Sequence, residues 1–578
     1  MSEHLLQPRH REILDSTVLM QLQTLLQHPK QEAIWDSFHL LDCVHFHATN
    51  LSPSTSQAIH AALWTLIQSL HEAKKYDQAI PWCQLALHPS LTTSCPASNP
   101  GKFLRRILSA HISLDDVPSA LALVDTLPDA TRNDLVTQFL LFRLAIRTWN
   151  QPLAQRCLQF LATQSGGEGR ARDALYACVR EAQRAGDRLC TVAALTAAAA
   201  TWKDEVVVPA NVPALLRCAI RLLQMLAAEE AQVAEPSFGV ASSNSTADEM
   251  VKLFNTAAEF VASNARDENG DAVFHAAELR WFSTNAYNFG VVHCTTWGPG
   301  RLASLFKSCL VFTQALFSSE ADTTDDSADS DFTILRCHFI LASLYISEAR
   351  IIKNEHTSSL YADVEQHTMA FTKLFVSSCG AAVDQYHDLL QKLGILCVFQ
   401  FEALLFRHSY KNLPCIITQA RLCNDANVLK ALGGCLIQSE APVQIKSTLL
   451  KSIINETFTV EDFKSDRLAQ YLRCIVQALL PMADDGAARE VLDQAIQVAE
   501  EAKQVSVGFP AEEAEWLAAA AFNHGLTKYA ARQDMATCQA WVDRAVAMAQ
   551  HADDSGKLAA SIQQRRQTLL NSSLTGTL

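Results

Sequence analysis

The sequence predicts an all-α protein, a right-handed solenoid of antiparallel helix pairs. Apolar residues recur at three- and four-residue spacing along nearly the whole chain, and no stretch sustains strict alternation. Nineteen Gly and 18 Pro in 578 residues are about half the share usual in globular proteins. So few breakers leave little room for a turn-rich β fold or for βαβ units with Gly-rich phosphate loops. An internal period of helix-pair length runs through the N-terminal part.

Residues 1–231 are expected to be N-terminal helical repeats. Leu63, Leu66 and Leu70 supply a first helix, and Lys75-Tyr-Asp-Gln-Ala-Ile-Pro-Trp-Cys-Gln-Leu-Ala-Leu87 a second. The small residues Ala79 and Ala86 lie seven apart, where two helices must approach closely. That pattern matches the second half of a tetratricopeptide (TPR) unit, whose period is about 34 residues. Comparable small residues follow at Ala120, Ala154 and Cys190, at intervals of 41, 34 and 36. The breaks between helices are short: Asp115-Asp116, Asn150-Gln151-Pro152 and Gly186-Asp187.

Residues 232–249 are polar and Ser-rich and read as a flexible loop, and 318–331 is an acidic run that reads as a disordered one. Between them, 250–317 should form further repeats, and 332–578 a C-terminal repeat block. The sharpest internal repeat joins these blocks. Glu278-Leu-Arg-Trp281-Phe-Ser-Thr-Asn-Ala286-Tyr287-Asn288-Phe-Gly290-Val291 returns 235 residues later as Glu513-Ala-Glu-Trp516-Leu-Ala-Ala-Ala-Ala521-Phe522-Asn523-His-Gly525-Leu526. Seven of fourteen positions agree in type. On a helix, Trp281 and Asn288 share a face two turns apart, as do Trp516 and Asn523. Ala286 with Gly290, and Ala521 with Gly525, let a neighbouring helix pack close.

The formal charge is −14, from 47 Lys and Arg against 61 Asp and Glu, a poor balance for gripping a phosphate backbone, and no direct DNA contact is expected. Seventeen cysteines are scattered from Cys43 to Cys538 without a C-x-x-C pair, which fits a reducing cytosol or nucleus. The N-terminus lacks the plan of a signal peptide. No apolar run reaches the ~18 residues of a membrane span; the best, Leu393 to Phe406, is interrupted by Gln400 and Glu402.

Motifs for chemistry are missing: no phosphate loop, no G-x-S-x-G elbow and no H-E-x-x-H. His39, Asp42, Cys43, His45 and His47 form the most suggestive cluster. His39 and Cys43 can share a helical face, yet no second ligand pair accompanies them, so histidines at a helix edge and loop are the better reading. An α-helical enzyme with a metal there is the competitor. The stretch Asp322 to Asp331 has Ser327 and Thr333 where a calcium loop needs Gly and Glu. No metal, cofactor, small-molecule substrate or catalytic activity is expected.

A repeat array offers a long inner surface lined by first helices, suited to extended peptides or helices of partners. The candidate partner-binding residues are Phe522, Asn523, Trp516, Tyr287 and Asn288. For Tyr287-Asn288 two readings stand: a groove contact, or an aromatic packed between helices beside an internally bonded Asn. For Phe522-Asn523 the groove reading is favoured. The Asn amide both donates to and accepts from an extended backbone, and the aromatic would add hot-spot area.

The E-x-x-W-x₆-N-x-G segment at 278–290, the acidic gap and the repeated A-[FY]-N-x-G near the C-terminus resemble the meiosis-specific TPR scaffold family, called Zip-four or Spo-twenty-two in fungi and Tex-eleven in animals. The likeness is best over 250–578 and diffuse over 55–231. Members are usually longer, so the resemblance implies a short member or further repeats before Met1. It also implies a nuclear scaffold on meiotic chromosomes that promotes interhomologue crossovers and synaptonemal complex assembly. Its implied partners are an inactive nuclease-like protein, the helix-hairpin-helix companion of that protein, and a central-element protein held by an aromatic–Asn pair, here Phe522 and Asn523. The alternative is a generic TPR adaptor of a chaperone or degradation complex. A chaperone-type clamp needs paired basic residues on groove positions, whereas Lys74 and Lys75 fall in a turn.

Overall fold

The structure, a computed structural model, describes residues 11–46, 51–93, 98–164, 169–233, 240–319, 326–352, 354–377, 383–460, 465–480, 485–504, 508–532 and 534–575. Among the described residues the fold is all-α: 27 α-helices, one 3-10 turn and only isolated bridges at Val207, Arg266 and Ala272. The chain divides into two compact units, Met1–Phe282 and Ser283–Leu578. The division falls inside the helix Ala276–Val292, so it coincides with neither polar stretch.

In unit 1 the antiparallel pairs are set by one recurring turn. Lys74, Asp115, Trp149 and Gly186 all adopt positive φ, between 53° and 73°. The next N–H in each turn reaches back five residues: Lys75 donates to the Leu70 carbonyl, Asp116 to His111, Asn150 to Ala145 and Asp187 to Ala182, at 2.9–3.1 Å. This closes the first helix with a left-handed residue and a wide backbone bond. In three of the four turns the donor residue then caps the second helix; Lys75 makes no side-chain cap. Asp116 accepts from Ser119 N, Asn150 from Leu153 N and Asp187 from Cys190 N, satisfying amides that a helix start leaves open. Two adjacent residues thus end one helix and start its antiparallel partner, at near-regular intervals.

Stacking follows from this geometry. Leu135–Arg147 packs on Gln151–Thr163 and on Gly169–Ala185, and Gly169–Ala185 packs in turn on Arg188–Ala200. Contact with the next helix and the next but one is the packing of a helical-repeat solenoid. The small residues expected at close approaches are all buried: Ala79, Ala86, Ala120, Ala154 and Cys190. Trp82, Phe142 and Leu175 are buried as well.

Unit 2 repeats the rule. Asp326–Ile351, Thr357–Ser377 and Val383–Phe406 pack successively; further on, Ser465–Leu479 packs on Asp485–Gln504 and on Ala511–Arg532, and Met535–Ala549 packs on the same two helices. Phe371, Phe401, Leu432, Leu450 and Trp541 belong to its core. Two of its helices, over Ser330–Ile351 and Tyr386–Phe406, are by length and composition apolar enough to cross a membrane, which corrects the expectation of no such run. The windows concerned are 50% and 56% buried inside the protein, as core helices are, and Glu402 within the second binds Arg350.

Part of each stretch expected as a loop is helical. Val240–Ala262 begins within 232–249, and Asp326–Ile351 within 318–331. Apolar anchors such as Ala247, Met250 and Leu335 lie within these helices. Residues 234–239 and 320–325 lie outside the described residues.

Candidate partner-binding surface

The C-terminal motif lies on the helix Ala511–Arg532, which packs on Met535–Ala549 and on Ser465–Leu479. Ala514, Leu517, Ala518, Ala521 and Phe522 form its buried stripe, spaced three and four residues apart as one helical face requires. Phe522 is only 3% exposed and belongs to the unit 2 core. It is therefore not a surface contact for a partner, which corrects the expectation for that residue. One residue on, about 100° round the helix, Asn523 is exposed. Its backbone carbonyl accepts from Thr527 Oγ1 at 2.9 Å.

Gly525 explains why the motif carries a glycine. A Cβ there would lie 2.9 Å from Trp541 Cβ and 3.3 Å from the Cys538 carbonyl oxygen. The first copy does the same with a different partner: a Cβ on Gly290 would run into Phe306 Cζ. Ala286 and Ala521 are fully buried. The A-aromatic-N-x-G run thus encodes a close helix crossing in both places.

The E-x-x-W half of the motif is also a packing device. Arg473, on Ser465–Leu479, donates to Glu513 at 3.2 Å and lies over Trp516 with its guanidinium carbon 4.7 Å from the ring centroid. In the first copy two arginines share the task. Arg217 pairs with Glu278 at 2.6 Å, and Arg221, one turn on, lies 5.5 Å from the Trp281 centroid. Trp516, half-buried under Arg473, is thereby a clasp between next-but-one helices as well as a residue of the candidate surface. Nothing in the motif's spacing announces Arg473, 40 residues upstream.

Tyr287 and Asn288 lie on a different helix, Ala276–Val292. Tyr287 is half-buried, its ring edge-on to Phe306 at 6.0 Å, and burial raises its pKa against the opposing pull of Arg336. Asn288 is exposed. In both copies, then, the motif turns an Asn outward from an Ala-Gly crossing.

Next to Asn523, His524 bonds Asp485 at 3.0 Å and stands edge-on to Trp541 at 4.8 Å. Lys528 reaches the same carboxylate at 2.9 Å. Burial opposes the charge on Asp485, but the hydrogen bonds from His524 and Lys528 outweigh it and hold its pKa below the usual carboxylate value. The edge of the helix is thus tied down, leaving Asn523 on a fixed support.

The His-rich segment is spoken for within its own unit. His39 Nδ1 faces Cys43 Sγ at 3.6 Å, Asp42 bonds His88 at 3.0 Å, and His45 is edge-on to His88 at 6.0 Å. His47 lies outside the described residues.

Stacked antiparallel helix pairs define the class: an all-α helical-repeat protein. Residues 2–88 match the family model described as "Meiosis protein SPO22/ZIP4 like", the family that the sequence motifs resemble. The match falls on the N-terminal repeats rather than on 250–578, where the motif likeness was best. The curated proteins contain no match. Three similar solved structures cover nearly the whole chain at low identity. The crystal structure of the APC/C hetero-tetramer Cut9-Hcn1 is 11% identical, with 89% of this chain and 98% of that one covered and a TM-score of 0.20. The structure of Naa15/Naa10 bound to HypK-THB is 11% identical, covering 95% and 90%, with a TM-score of 0.17. The Chaetomium thermophilum Nup170 C-terminal domain mutant is 14% identical, covering 95% and 98%, with a TM-score of 0.23. Scores this low add nothing to the fold described above.

Proposed function

We propose that this chain is a non-catalytic meiotic scaffold that promotes interhomologue crossovers and synaptonemal complex assembly in the nucleus, on meiotic chromosomes. The observation that carries this reading is the match of residues 2–88 to the SPO22/ZIP4-like meiosis family, found independently of the motifs at 278–290 and 513–525. Separate stretches of the helical array would hold an inactive nuclease-like protein, its helix-hairpin-helix companion and a central-element protein, raising their effective concentration at recombination sites. Asn523, exposed on a rigid helix, is the residue assigned to hold the backbone of one of them.

The ion pairs argue against the chaperone-clamp alternative. Such a clamp needs basic groups free to receive a partner's carboxylates. Here Arg143, Arg217, Arg350 and Arg473 already pair with Glu181, Glu278, Glu402 and Glu513.

A pull-down from meiotic extract, comparing wild type with Asn523→Ala and Asn288→Ala, tests the assignment. Asn523→Ala is expected to lose one synaptonemal complex protein and keep the others. A full partner set with Asn523→Ala would remove the residue from the site. Normal crossover numbers in cells lacking the protein would remove the function.

A further inference from the structure

Unit 1 contains a groove that the reading above does not use. The second helices Gln151–Thr163 and Arg188–Ala200 pack on one another. The next second helix, Val240–Ala262, packs on Val212–Val233 but makes no close packing with Arg188–Ala200 among the described residues. A groove of about 620 Å³ opens there. Its apolar lining comes from Leu158, Leu189, Val192, Ala193, Ala197 and Leu223. The alanines keep it open, and Leu189 is 47% exposed although apolar.

Its polar lining has a helical period. Gln151, Gln155 and Gln159 recur every four residues on one helix, and Thr246, Glu249, Lys252 and Thr256 every three or four on another. Polar groups thus recur once per turn, about every 5.4 Å, instead of converging on one point as they do around a small molecule. Glu249 and Lys252 bring one charge of each sign to the same side, 3.7 Å apart.

We infer that this groove docks an amphipathic α-helix of a partner protein, its aliphatic stripe on Leu189, Ala193 and Ala197, which recur every four residues on one face, and its flank bearing a basic residue opposite Glu249 and an acidic one opposite Lys252. An α-helix has the pitch of the lining, and its anchors at i, i+3 or i+4 and i+7 fit an elongated apolar floor. The charge pair gives the helix a direction, because a reversed helix sets like charges against Glu249 and Lys252. The inference is independent of Asn523 and of the meiotic assignment.

The test uses the full chain and a displayed library of helical peptides, with the aliphatic stripe randomised and one Lys and one Glu fixed a turn apart on the flank. Selected peptides are measured by fluorescence anisotropy. Wild type is expected to bind saturably. Ala193→Trp, which fills the groove, and Leu189→Ser, which alters only a half-exposed side chain, should each weaken binding about tenfold or more. Glu249→Lys with Lys252→Glu should weaken it several-fold, about the worth of exposed ion pairs, and peptides with the two charges exchanged should regain it. Failure to select any helix, equal binding to Ala193→Trp and Leu189→Ser, or equal binding of proline-broken peptides would each overturn the inference. The last outcome would mark the groove as a non-specific apolar surface. Circular dichroism melts of each variant keep loss of binding separate from loss of fold.

Discussion

Arg473 lies over Trp516, its guanidinium carbon 4.7 Å from the ring centroid, and the same guanidinium donates to Glu513 one turn earlier on the Trp516 helix. One side chain therefore fixes both the spacing and the rotation of two next-but-one helices. Arg473→Ala should lower the stability of the intact protein by about 1–2 kcal/mol, combining a partly desolvated cation–π contact and a mostly buried acceptor. Arg473→Lys should recover only part of this, since an ammonium cannot stack and bond in one plane. Urea unfolding followed by Trp fluorescence measures it. Equal stability of wild type and Arg473→Ala would mean the clasp is ornamental.

Gly525→Ala should destabilise more than Gly290→Ala. The added methyl at 525 meets Trp541 Cβ and a backbone carbonyl, neither of which can move without shifting the Met535–Ala549 helix. At 290 it meets the far end of the Phe306 ring, which a small χ1 swing displaces where a helix backbone carbonyl cannot yield. Overpacking of this kind costs about 1–3 kcal/mol, so a thermal-melt series of the two variants should rank them in that order.

How much of this was legible in the sequence depends on what each signal encodes. Ala79, Ala86 and Ala154 were legible because close helix approach admits little but small residues, and all three are buried. The turns were legible as breaks but not as one motif. Only Gly186 announces a left-handed residue, while Lys74, Asp115 and Trp149 adopt it under the pull of the same wide backbone bond. Phe522 was misplaced although its periodicity was visible. It falls four after Ala518 and eight after Ala514, on the buried stripe, whereas Asn523 does not. Arg473 was not legible at all, because its partners are fixed by stacking and not by sequence spacing.

That split between Phe522 and Asn523 gives a separable prediction. Phe522→Ala should cost about 3–5 kcal/mol as a cavity in a packed core, and it will depress binding of every partner with the fold. Asn523→Ala should leave the melt within about 0.5 kcal/mol, as exposed substitutions do. Parallel melts settle whether a binding loss at Asn523 reports on a contact or on folding.

A buried histidine pair makes unit 2 sensitive to acid. His338 and His367 face each other through their Nδ1 atoms at 2.9 Å, so one ring donates and the other accepts. Tyr345 stacks on His367, and Lys307 lies over Tyr345. Burial, reinforced for His338 by the facing His367 and for His367 by Lys307, lowers both pKa values from 6.5 to about 4. Between pH 6.5 and about 4 the unfolded chain therefore binds protons that the folded one refuses, and stability falls as pH drops through that window. The pair's share of the loss is on the order of a few kcal/mol. Urea midpoints of the intact chain at pH 7.5, 6 and 5 (a range of about 2.5 units spanning the unfolded histidine pKa) should fall more steeply for wild type than for His338→Phe His367→Phe. Parallel curves for the two proteins would show that the pair takes up its proton without penalty and that the rings are not sealed from solvent.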